Sequence, residues 1–292
     1  MKIVVYGNKF NKEASPYVEQ LFNLLIEKGV QISVNNSLFE FTKQFFPLNE
    51  KVIVKNKKSL LEVDTDFLIS VGGDGTILDT ITTVRDSNVP ILGVNTGRLG
   101  FLANNTKDEI LSSVNSLLSG EFKIDSRTLL SLKSNVNQFG EDNFALNEFT
   151  LHKKDSSMMM TVHVFIDGEF LNSYWADGVI VATPTGSTAY SLSCGGPLLS
   201  PGSDNFVITP IAPHNLNLRP LVVKDDVEIL LKMEGRDAEF LTTLDSRSQT
   251  VKQDAVITLK KASFNVNLIQ FNHQNFFSTI RNKLYWGRDV RN

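Results

Sequence analysis

The sequence predicts an α/β N-terminal domain with a doubly wound parallel sheet, an all-β C-terminal domain, and a C-terminal helix that returns to the first domain. Three observations support this fold class. Apolar runs alternate with helically spaced apolar residues up to residue 126, short β-rich runs fill residues 127–270, and helical spacing returns in residues 271–292. We therefore expect a first domain of residues 1–126 and 271–292, and a second domain of residues 127–270.

The first domain begins with a strand, Ile3-Val4-Val5-Tyr6, and continues as alternating helices and strands. Ser15 is placed to cap the first helix, with Pro16 in its first turn. A capping box formed by Thr106 and Glu109 predicts the start of a later helix. Further strands are expected at residues 30–34, 67–71 and 90–94.

The second domain is predicted from short runs of β-branched and aromatic residues between turn signals. Asp167-Gly168 stands between two such runs and indicates a tight hairpin. The predicted strands are 129–133, 144–151, 161–166, 179–183, 206–211, 227–232, 239–244 and 255–259.

The most informative motif is Gly72-Gly73-Asp74-Gly75-Thr76, which follows directly on the apolar strand at 67–71. Its glycines let the chain turn sharply and let a phosphate approach main-chain N–H groups, and we expect a helix to start at Thr76. The acidic Asp74 does not suit phosphate binding alone. It suits taking a proton from an attacking hydroxyl or holding a metal; the structural alternative is that Asp74 only caps the helix.

A second segment, Asp177 to Ser191, runs from an apolar strand into Thr-Pro and then into small and hydroxyl-bearing residues. Gly195-Gly196-Pro197 follows it. Such a segment offers N–H groups and hydroxyls to a nucleoside, and Tyr190 is available to stack on a base. The alternative is a Ser/Thr-rich loop with Tyr190 packed in the core.

Composition and charge exclude several classes of function. The net charge is −3 and the charged fraction is 21%, so no basic surface for nucleic acid is indicated. One cysteine, Cys194, excludes an intrachain disulfide, and four histidines show no zinc-ligand spacing. No apolar stretch approaches the roughly 18 residues of a membrane span. We expect a cytoplasmic protein without nucleic-acid or membrane partners.

These motifs resemble those of the NAD kinase family. The family's GGDGT stands at 72–76, its Asn-Glu pair at 147–148, and its DG…TPTGSTAYS segment at 177–191. The further matches are GGP at 195–197, the PH…RP segment at 213–220, and a glycine-rich loop at 95–101. The resemblance covers residues 67–220 in motifs and nearly the whole chain in domain order.

The resemblance implies transfer of the γ-phosphoryl group of ATP to the 2′-hydroxyl of the adenosine ribose of NAD, which gives NADP. Whether inorganic polyphosphate replaces ATP as the donor is left open. Asp74 is then the general base, and Asn147 and Glu148 bind the nucleoside. The other implied contacts are Gly72, Gly73, Gly75 and Thr76 at the donor phosphates, Thr188, Ala189, Tyr190 and Ser193 at adenosine, Asp177 and Ala212 at the nicotinamide riboside, and Phe101 near the acceptor.

A divalent metal, Mg²⁺, is expected to arrive with ATP, because the sequence shows no dedicated protein cage for it. The resemblance also implies a homodimer or a homotetramer. The chain departs from the family pattern at Asp245-Ser246-Arg247, where Asp-Gly-Gln is usual. It also has Cys194 before the GGP, which we interpret as a small buried residue.

Two other functions remain open. A lipid kinase of the same superfamily would need an apolar channel in the second domain, whereas the segment at 183–190 is polar. A non-catalytic nucleotide sensor with this fold would be expected to lack the acidic residue of the glycine turn, and Asp74 is present.

Overall fold

The computed structural model describes residues 1–154, 159–235, 239–272 and 274–287. The chain divides into two compact units, Met1–Ser126 with Val266–Asn292, and Arg127–Asn265. Residues 266–270, which we placed in the all-β domain, belong to the first unit, where Leu268 pairs with Ile91. Each unit has its own apolar core.

The first unit alternates strands and helices in chain order, as the hydrophobic pattern predicted. Its elements before residue 126 are β1 Lys2–Gly7, α1 Ser15–Glu27, β2 Gln31–Asn35, α2 Asn36–Thr42, β3 Ile53–Lys55, β4 Phe67–Gly72, α3 Asp74–Val84, β5 Ile91–Asn95, β6 Asn105–Thr106 and α4 Ile110–Ser119.

A parallel sheet forms the centre of this unit, in the order β3-β2-β1-β4-β5. Ile69 and Val71 of β4 are fully buried in the core, as the apolar run predicted. The register pairs Gly72 at the end of β4 with Asn95 at the end of β5. The loops after these two strands therefore start side by side, at the edge where parallel sheets bind ligands.

Two helix starts differ from the prediction. A short 3-10 turn, Lys12–Ala14, leads into α1, so Ser15 already has helical backbone angles and caps nothing. The helix after the glycine turn begins at Asp74 rather than Thr76, because the N–H groups of Thr76 and Ile77 both donate to the carbonyl of Gly73. The capping box of Thr106 and Glu109 is confirmed.

The second unit consists mainly of strands, with two helical turns among its described residues, a 3-10 turn at Gly186–Thr188 and a short helix at Tyr190–Ser193. Its elements are β7 Lys123–Ser134, β8 Phe144–Ala145, β9 Glu148–Lys153, β10 Met160–Ile166, β11 Glu169–Ala176, β12 Gly178–Ala182, α5 Tyr190–Ser193, β13 Asn205–Ile211, β14 Leu221–Lys224, β15 Ile229–Glu234, β16 Glu239–Leu244, β17 Arg247–Lys252 and β18 Ile257–Gln270. The ends of β7 and β18 reach into the first unit.

Antiparallel pairing dominates this unit. One sheet has the order β14-β13-β12-β9-β16-β17, and β11-β10-β15-β18 pair in another. Side chains from both groups share one core, including Phe149 of β9, Val181 of β12 and Val162 of β10. The hairpin at Asp167-Gly168 is confirmed, and both of its residues have the positive φ angles that such a turn requires.

The C-terminal helix, α6, spans Phe276–Leu284, and the first unit includes it. Asn275 caps it, because its side chain accepts the N–H of Ser278. Ile280 is buried, whereas Phe277 is 66% exposed, so α6 does not bury all of its apolar side chains. In the part of the chain that is described, no helix combines the length and the apolar character needed to span a bilayer.

Candidate active site

The predicted site residues fall into two groups, one in each unit. In the first unit, glycines shape the turn between β4 and α3. A Cβ at Gly72 would lie 2.1 Å from Oγ1 of Thr76, so the threonine side chain fills the space that a side chain at 72 would need. A Cβ at Gly73 or Gly75 would meet no atom within 4 Å. These two residues leave the N-terminus of α3 open to an anion.

Asp74 connects this turn to the loop that follows β5. Its Oδ2 accepts the N–H of Phe101 at 2.7 Å, and its Oδ1 accepts the N–H groups of Leu102 at 3.1 Å and Ala103 at 2.9 Å. The residue at the N-cap of α3 is Gly73, which has no side chain to cap it. Asp74 therefore fixes the neighbouring loop, and its carboxylate is held in one orientation by three charge-assisted hydrogen bonds.

Two residues that we did not single out make this arrangement possible. A Cβ at Gly100 would lie 1.8 Å from Oδ1 of Asp74, so only glycine leaves room for the carboxylate. Asn95 holds the same loop from inside: its Nδ2 donates to the carbonyls of Arg98 and Ala103, and its Oδ1 accepts the N–H of Gly97. The glycine-rich pattern at 95–101 was a signal for such a loop, but it did not identify the partner of Gly100.

A cavity of about 410 Å³ opens beside Gly72 and Gly73. Two cationic side chains, Lys9 and Arg98, are among its lining residues and give it the charge that a polyphosphate prefers. The other lining residues are Phe10, Asn11, Phe41, Asn95, Thr96 and Gly97.

In the second unit, Asp245 organises the Asn147-Glu148 pair. Its carboxylate accepts the N–H groups of Leu146 at 3.0 Å, Asn147 at 2.7 Å and Glu148 at 3.3 Å. In return, the N–H of Asp245 donates to the carbonyl of Glu148. Asp245 has a positive φ of 52°, an uncommon angle for a residue other than glycine. A residue almost a hundred positions away thus fixes the backbone of the predicted nucleoside contacts.

The TPTGS segment packs on the other side of Asn147. The N–H of Thr183 donates to the carbonyl of Asn147, and the hydroxyl of Thr183 donates to the carbonyl of Leu146. A Cβ at Gly186 would lie 2.0 Å from the carbonyl oxygen of Asn147, which explains why glycine stands in this segment. The two motifs of the resemblance therefore form one structure in the second unit.

Glu148 is buried, and its carboxyl group has a raised proton affinity. Burial raises the pKa of its carboxyl to about 8, with a further contribution from the nearby Asp245 carboxylate. A backbone N–H of Tyr190 opposes this shift in part. Its Oε2 atom has no hydrogen-bond partner within the described residues. Burial also raises the pKa of Asp245, although backbone N–H groups counteract this. A buried acceptor without a partner indicates a place for a ligand donor.

Tyr190 lies beside three other polar side chains. The residue is 40% exposed, which excludes the alternative of a core position. Partial burial raises the pKa of its hydroxyl, and the charges of Cys194, Asp177 and Glu148 raise it further. Partial burial likewise raises the pKa of the Cys194 thiol, which does not suit a nucleophile. Asp177 is paired with Lys153, whose Nζ lies 2.6 Å from its Oδ1.

The remaining predicted contacts surround this group. The N–H of Asp177 donates to the carbonyl of Ile211, which places Ala212 next to Asp177 at the end of β13. Ala212 is exposed and has a positive φ of 44°. Ala189 and Ser193 flank Tyr190 at the start and the end of α5. The hydroxyl of Thr188 donates to the carbonyl of Thr185, so it also stabilises its own turn.

Trp175 and His214 form an exposed aromatic pair close to Asp177 in sequence and structure. Their ring centroids lie 4.2 Å apart, and the N–H of His214 donates to the carbonyl of Trp175. Trp175 is 46% exposed, so it does not lie in the core. Strand alternation explains this, because Tyr174 and Ala176 on either side point into the core.

Comparison with known proteins identifies the family. The profile of the ATP-NAD kinase N-terminal domain matches residues 3–122, and that of the ATP-NAD kinase C-terminal domain matches residues 146–271. The chain belongs to the NAD kinase family. The two matched ranges contain all of the predicted site residues, the glycine turn in the first and the Asn147-Glu148 pair in the second.

Relatives and solved structures agree with this assignment. The chain is 47% identical to an NAD kinase of Cytophaga hutchinsonii and 45% identical to one of Flavobacterium psychrophilum, with full coverage of both chains in each case. An NAD kinase from Archaeoglobus fulgidus in complex with ATP matches with a TM-score of 0.75, 26% identity, and coverage of 98% of this chain and 99% of that chain. Yeast NADH kinase complexed with NADH has a similar fold, with a TM-score of 0.88, 24% identity, and coverage of 100% and 89%.

Within the NAD kinase family, the Asp245-Ser246-Arg247 departure has a structural explanation in this chain. The Arg247 guanidinium donates to the carbonyls of Asp142 and Phe144 and lies over the Phe144 ring, 5.5 Å from its centroid. Arg247 therefore anchors the segment that leads to Asn147. Asp245 binds the backbone of the Asn147-Glu148 pair, whereas Arg247 is used for packing.

Proposed function

We propose that this chain is an NAD kinase, which transfers the γ-phosphoryl group of ATP to the 2′-hydroxyl of the adenosine ribose of NAD. One observation carries the proposal: the Asp74 carboxylate is held by three backbone N–H groups beside a glycine turn that is open to an anion. A fixed acceptor next to a phosphate site is the arrangement that phosphoryl transfer to a hydroxyl requires.

Asp74 acts as the general base in this proposal. The 2′-hydroxyl loses its proton to a carboxylate oxygen of Asp74, its oxygen attacks the γ-phosphorus, and ADP leaves with the electrons of the broken bond. Both oxygens of Asp74 accept backbone N–H groups. Within the described residues Oδ2 accepts one N–H and Oδ1 accepts two, so a lone pair of Oδ2 is the better placed to take the proton. The backbone N–H groups keep the carboxylate in a fixed orientation during this proton transfer.

The donor phosphates are assigned to Gly72, Gly73, Gly75 and Thr76 and to the cavity beside them. ATP is expected to bring a divalent metal, Mg²⁺, which neutralises phosphate charge when bound. Within the described ranges, no group of three His, Cys, Asp or Glu side chains is placed to hold a metal. The lone pair that Oδ2 of Asp74 has left is the one that the proposed proton transfer uses, so we assign the metal mainly to the phosphates.

We assign the binding of the acceptor, NAD, to the predicted site residues of the second unit, which we call the second-unit group. The Oε2 atom of Glu148 would accept ribose hydroxyls, the Asn147 amide would bind an adenine edge, and Tyr190 would stack on the base. Thr188, Ala189 and Ser193 would line the adenosine, with Asp177 and Ala212 at the nicotinamide riboside and Phe101 near the acceptor. A homodimer or homotetramer remains a prediction.

The test is a coupled assay of NADP formation by the purified chain. NAD is supplied with ATP in one arm and with polyphosphate in a second, and labelled ATP with diacylglycerol serves as a third. We expect NADP with ATP and no labelled lipid. Phosphorylated diacylglycerol without NADP would support the lipid-kinase alternative, and NAD binding without turnover in either donor would support the sensor.

Replacing Tyr190 with alanine is expected to weaken NAD binding by about 1–3 kcal/mol, the scale of base–aromatic stacking. Calorimetry with NAD and a melting curve on the same sample measure both affinity and stability. Phe170→Ala removes another exposed aromatic ring of the same unit and should leave the affinity unchanged. Full NAD affinity of Tyr190→Ala would contradict the stacking role.

Glu148 makes NAD binding depend on pH. Its pKa of about 8 leaves the carboxyl mainly protonated at pH 7, and a ribose hydroxyl pairs best with the ionised form. NAD binding at pH 7 should therefore release a proton, and affinity should rise by up to about tenfold per pH unit until the pH passes this pKa. The stability of the ligand-free protein changes in the opposite direction to the NAD affinity. Because the pKa of Glu148 is raised in the folded state, the free energy of unfolding falls as the pH rises towards about 8.

Calorimetry of NAD binding in buffers with different ionisation enthalpies measures this proton release at pH 7 and at pH 9. Glu148→Gln should bind NAD without proton release, and Glu239→Gln, a surface control, should behave as the wild type. Equal heats in all buffers at pH 7 for the wild-type chain would show that Glu148 does not ionise on binding.

A further inference from the structure

The C-terminal helix places one cation at the glycine turn of the first unit. The Nζ atom of Lys283 lies 3.8 Å from Oδ2 of Asp74 and 4.6 Å from the centroid of the Phe101 ring. Its side chain is 32% exposed, so most of it is removed from water. The two residues that it approaches are the proposed general base and a residue assigned near the acceptor.

The position of Lys283 is fixed by the helix that carries it. Asn275 caps the N-terminus of α6, and the side chain of Ile280 on this helix is buried. The helix ends at Tyr285, which has a left-handed conformation with a φ of 53°. Lys283 stands in the last turn, where the helix dipole favours a cation. The face of an aromatic ring also attracts an ammonium group, so Phe101 contributes to the same placement.

The geometry leaves the ammonium group with hydrogen-bonding capacity. A distance of 3.8 Å from Nζ to Oδ2 is longer than a hydrogen bond, so the two groups attract by charge alone. Oδ2 already accepts the N–H of Phe101 at 2.7 Å. Asp74 therefore takes none of the three N–H donors of Lys283, although the ammonium group lies beside its carboxylate.

We propose that Lys283 is a catalytic residue that binds the transferred phosphoryl group. The proposal rests on the proposed function, in which Asp74 takes the proton of the attacking hydroxyl. That hydroxyl lies about 3 Å from the base, with the γ-phosphorus directly beyond it. An ammonium group 3.8 Å from the base is within reach of a non-bridging oxygen of this phosphorus. Its charge stabilises the negative charge on those oxygens in the transition state.

The test compares Lys283→Met, which keeps the length of the side chain without its charge, with Lys283→Arg, which keeps the charge. Arg281→Met is the matched control, because Arg281 is an exposed basic residue in the same helical turn. We expect Lys283→Met to lower kcat by about 10²–10³, the loss seen when one donor to a developing charge is removed. KM for NAD should change little, Lys283→Arg should recover part of kcat, and Arg281→Met should equal the wild type.

Calorimetry with ATP and ADP separates phosphate binding from a structural role. In the wild-type chain, ATP should bind more tightly than ADP, and Lys283→Met should lose this difference while its affinity for ADP is kept. Equal losses of ATP and ADP affinity with a lower melting temperature would overturn the proposal in favour of a structural role. A normal kcat of Lys283→Met would also overturn it. If the wild-type chain makes no NADP, the proposed function fails instead, and the ATP-against-ADP comparison still tests Lys283.

Discussion

Replacing Asp74 with asparagine is expected to lower kcat by about 10²–10⁴, the usual contribution of a general base. The amide cannot take the proton of the 2′-hydroxyl. It also cannot accept all three N–H groups that Asp74 accepts from Phe101, Leu102 and Ala103, because its nitrogen is a donor. We therefore expect a loss of stability as well, of about 1–3 kcal/mol for a hydrogen-bonding group left without its partner.

Steady-state kinetics of NADP formation, with a melting curve and NAD affinity on the same sample, separates these effects. Asp79→Asn is the control, since Asp79 lies on the same helix and its carboxylate accepts a hydrogen bond from the exposed Asn8 side chain. It should keep full turnover. A folded Asp74→Asn protein with near-normal kcat would refute the assignment of Asp74 as the base.

Replacing Gly100 with alanine is expected to reduce kcat almost as far as the loss of Asp74 itself, by about 10²–10⁴. The added methyl group would lie 1.8 Å from Oδ1 and 2.6 Å from Cγ of Asp74. The Asp74 side chain is short, and its carboxylate accepts three N–H groups. It therefore cannot move aside without breaking these hydrogen bonds. The chain keeps every chemical group of the proposed mechanism, and only the position of the base changes.

Gly97→Ala tests whether any methyl group in this loop is harmful. Its Cβ would lie 3.6 Å from the nearest atom, Nδ2 of Asn11, which is ordinary contact, so we expect the melting temperature of the wild type. Gly100→Ala should melt at a lower temperature and should bind NAD through the second-unit group as before. Wild-type melting and turnover of Gly100→Ala would mean that the loop accommodates the methyl group without displacing Asp74.

Local patterns in the sequence were sufficient for the two-domain fold class and for most of its elements. The apolar run at 67–71 forms the central strand β4, the Thr106–Glu109 box opens a helix, and Asp167-Gly168 forms the hairpin. Each of these features depends on residues that are close in sequence, so spacing and residue type reveal it. The family motifs likewise identified the glycine turn and the Asn147-Glu148 pair before any contact was known.

Only the tertiary structure decided which residues support these motifs. Gly100 makes room for Asp74, Asp245 fixes the backbone of Asn147 and Glu148, and Lys283 reaches Asp74 from the last helix. The partners in these contacts are 26 to more than 200 residues apart, and no local spacing relates them. The raised pKa of Glu148 has the same origin, since burial depends on how strands pack. Chain composition determines what each segment can form, whereas sheet register and packing determine which distant side chains meet.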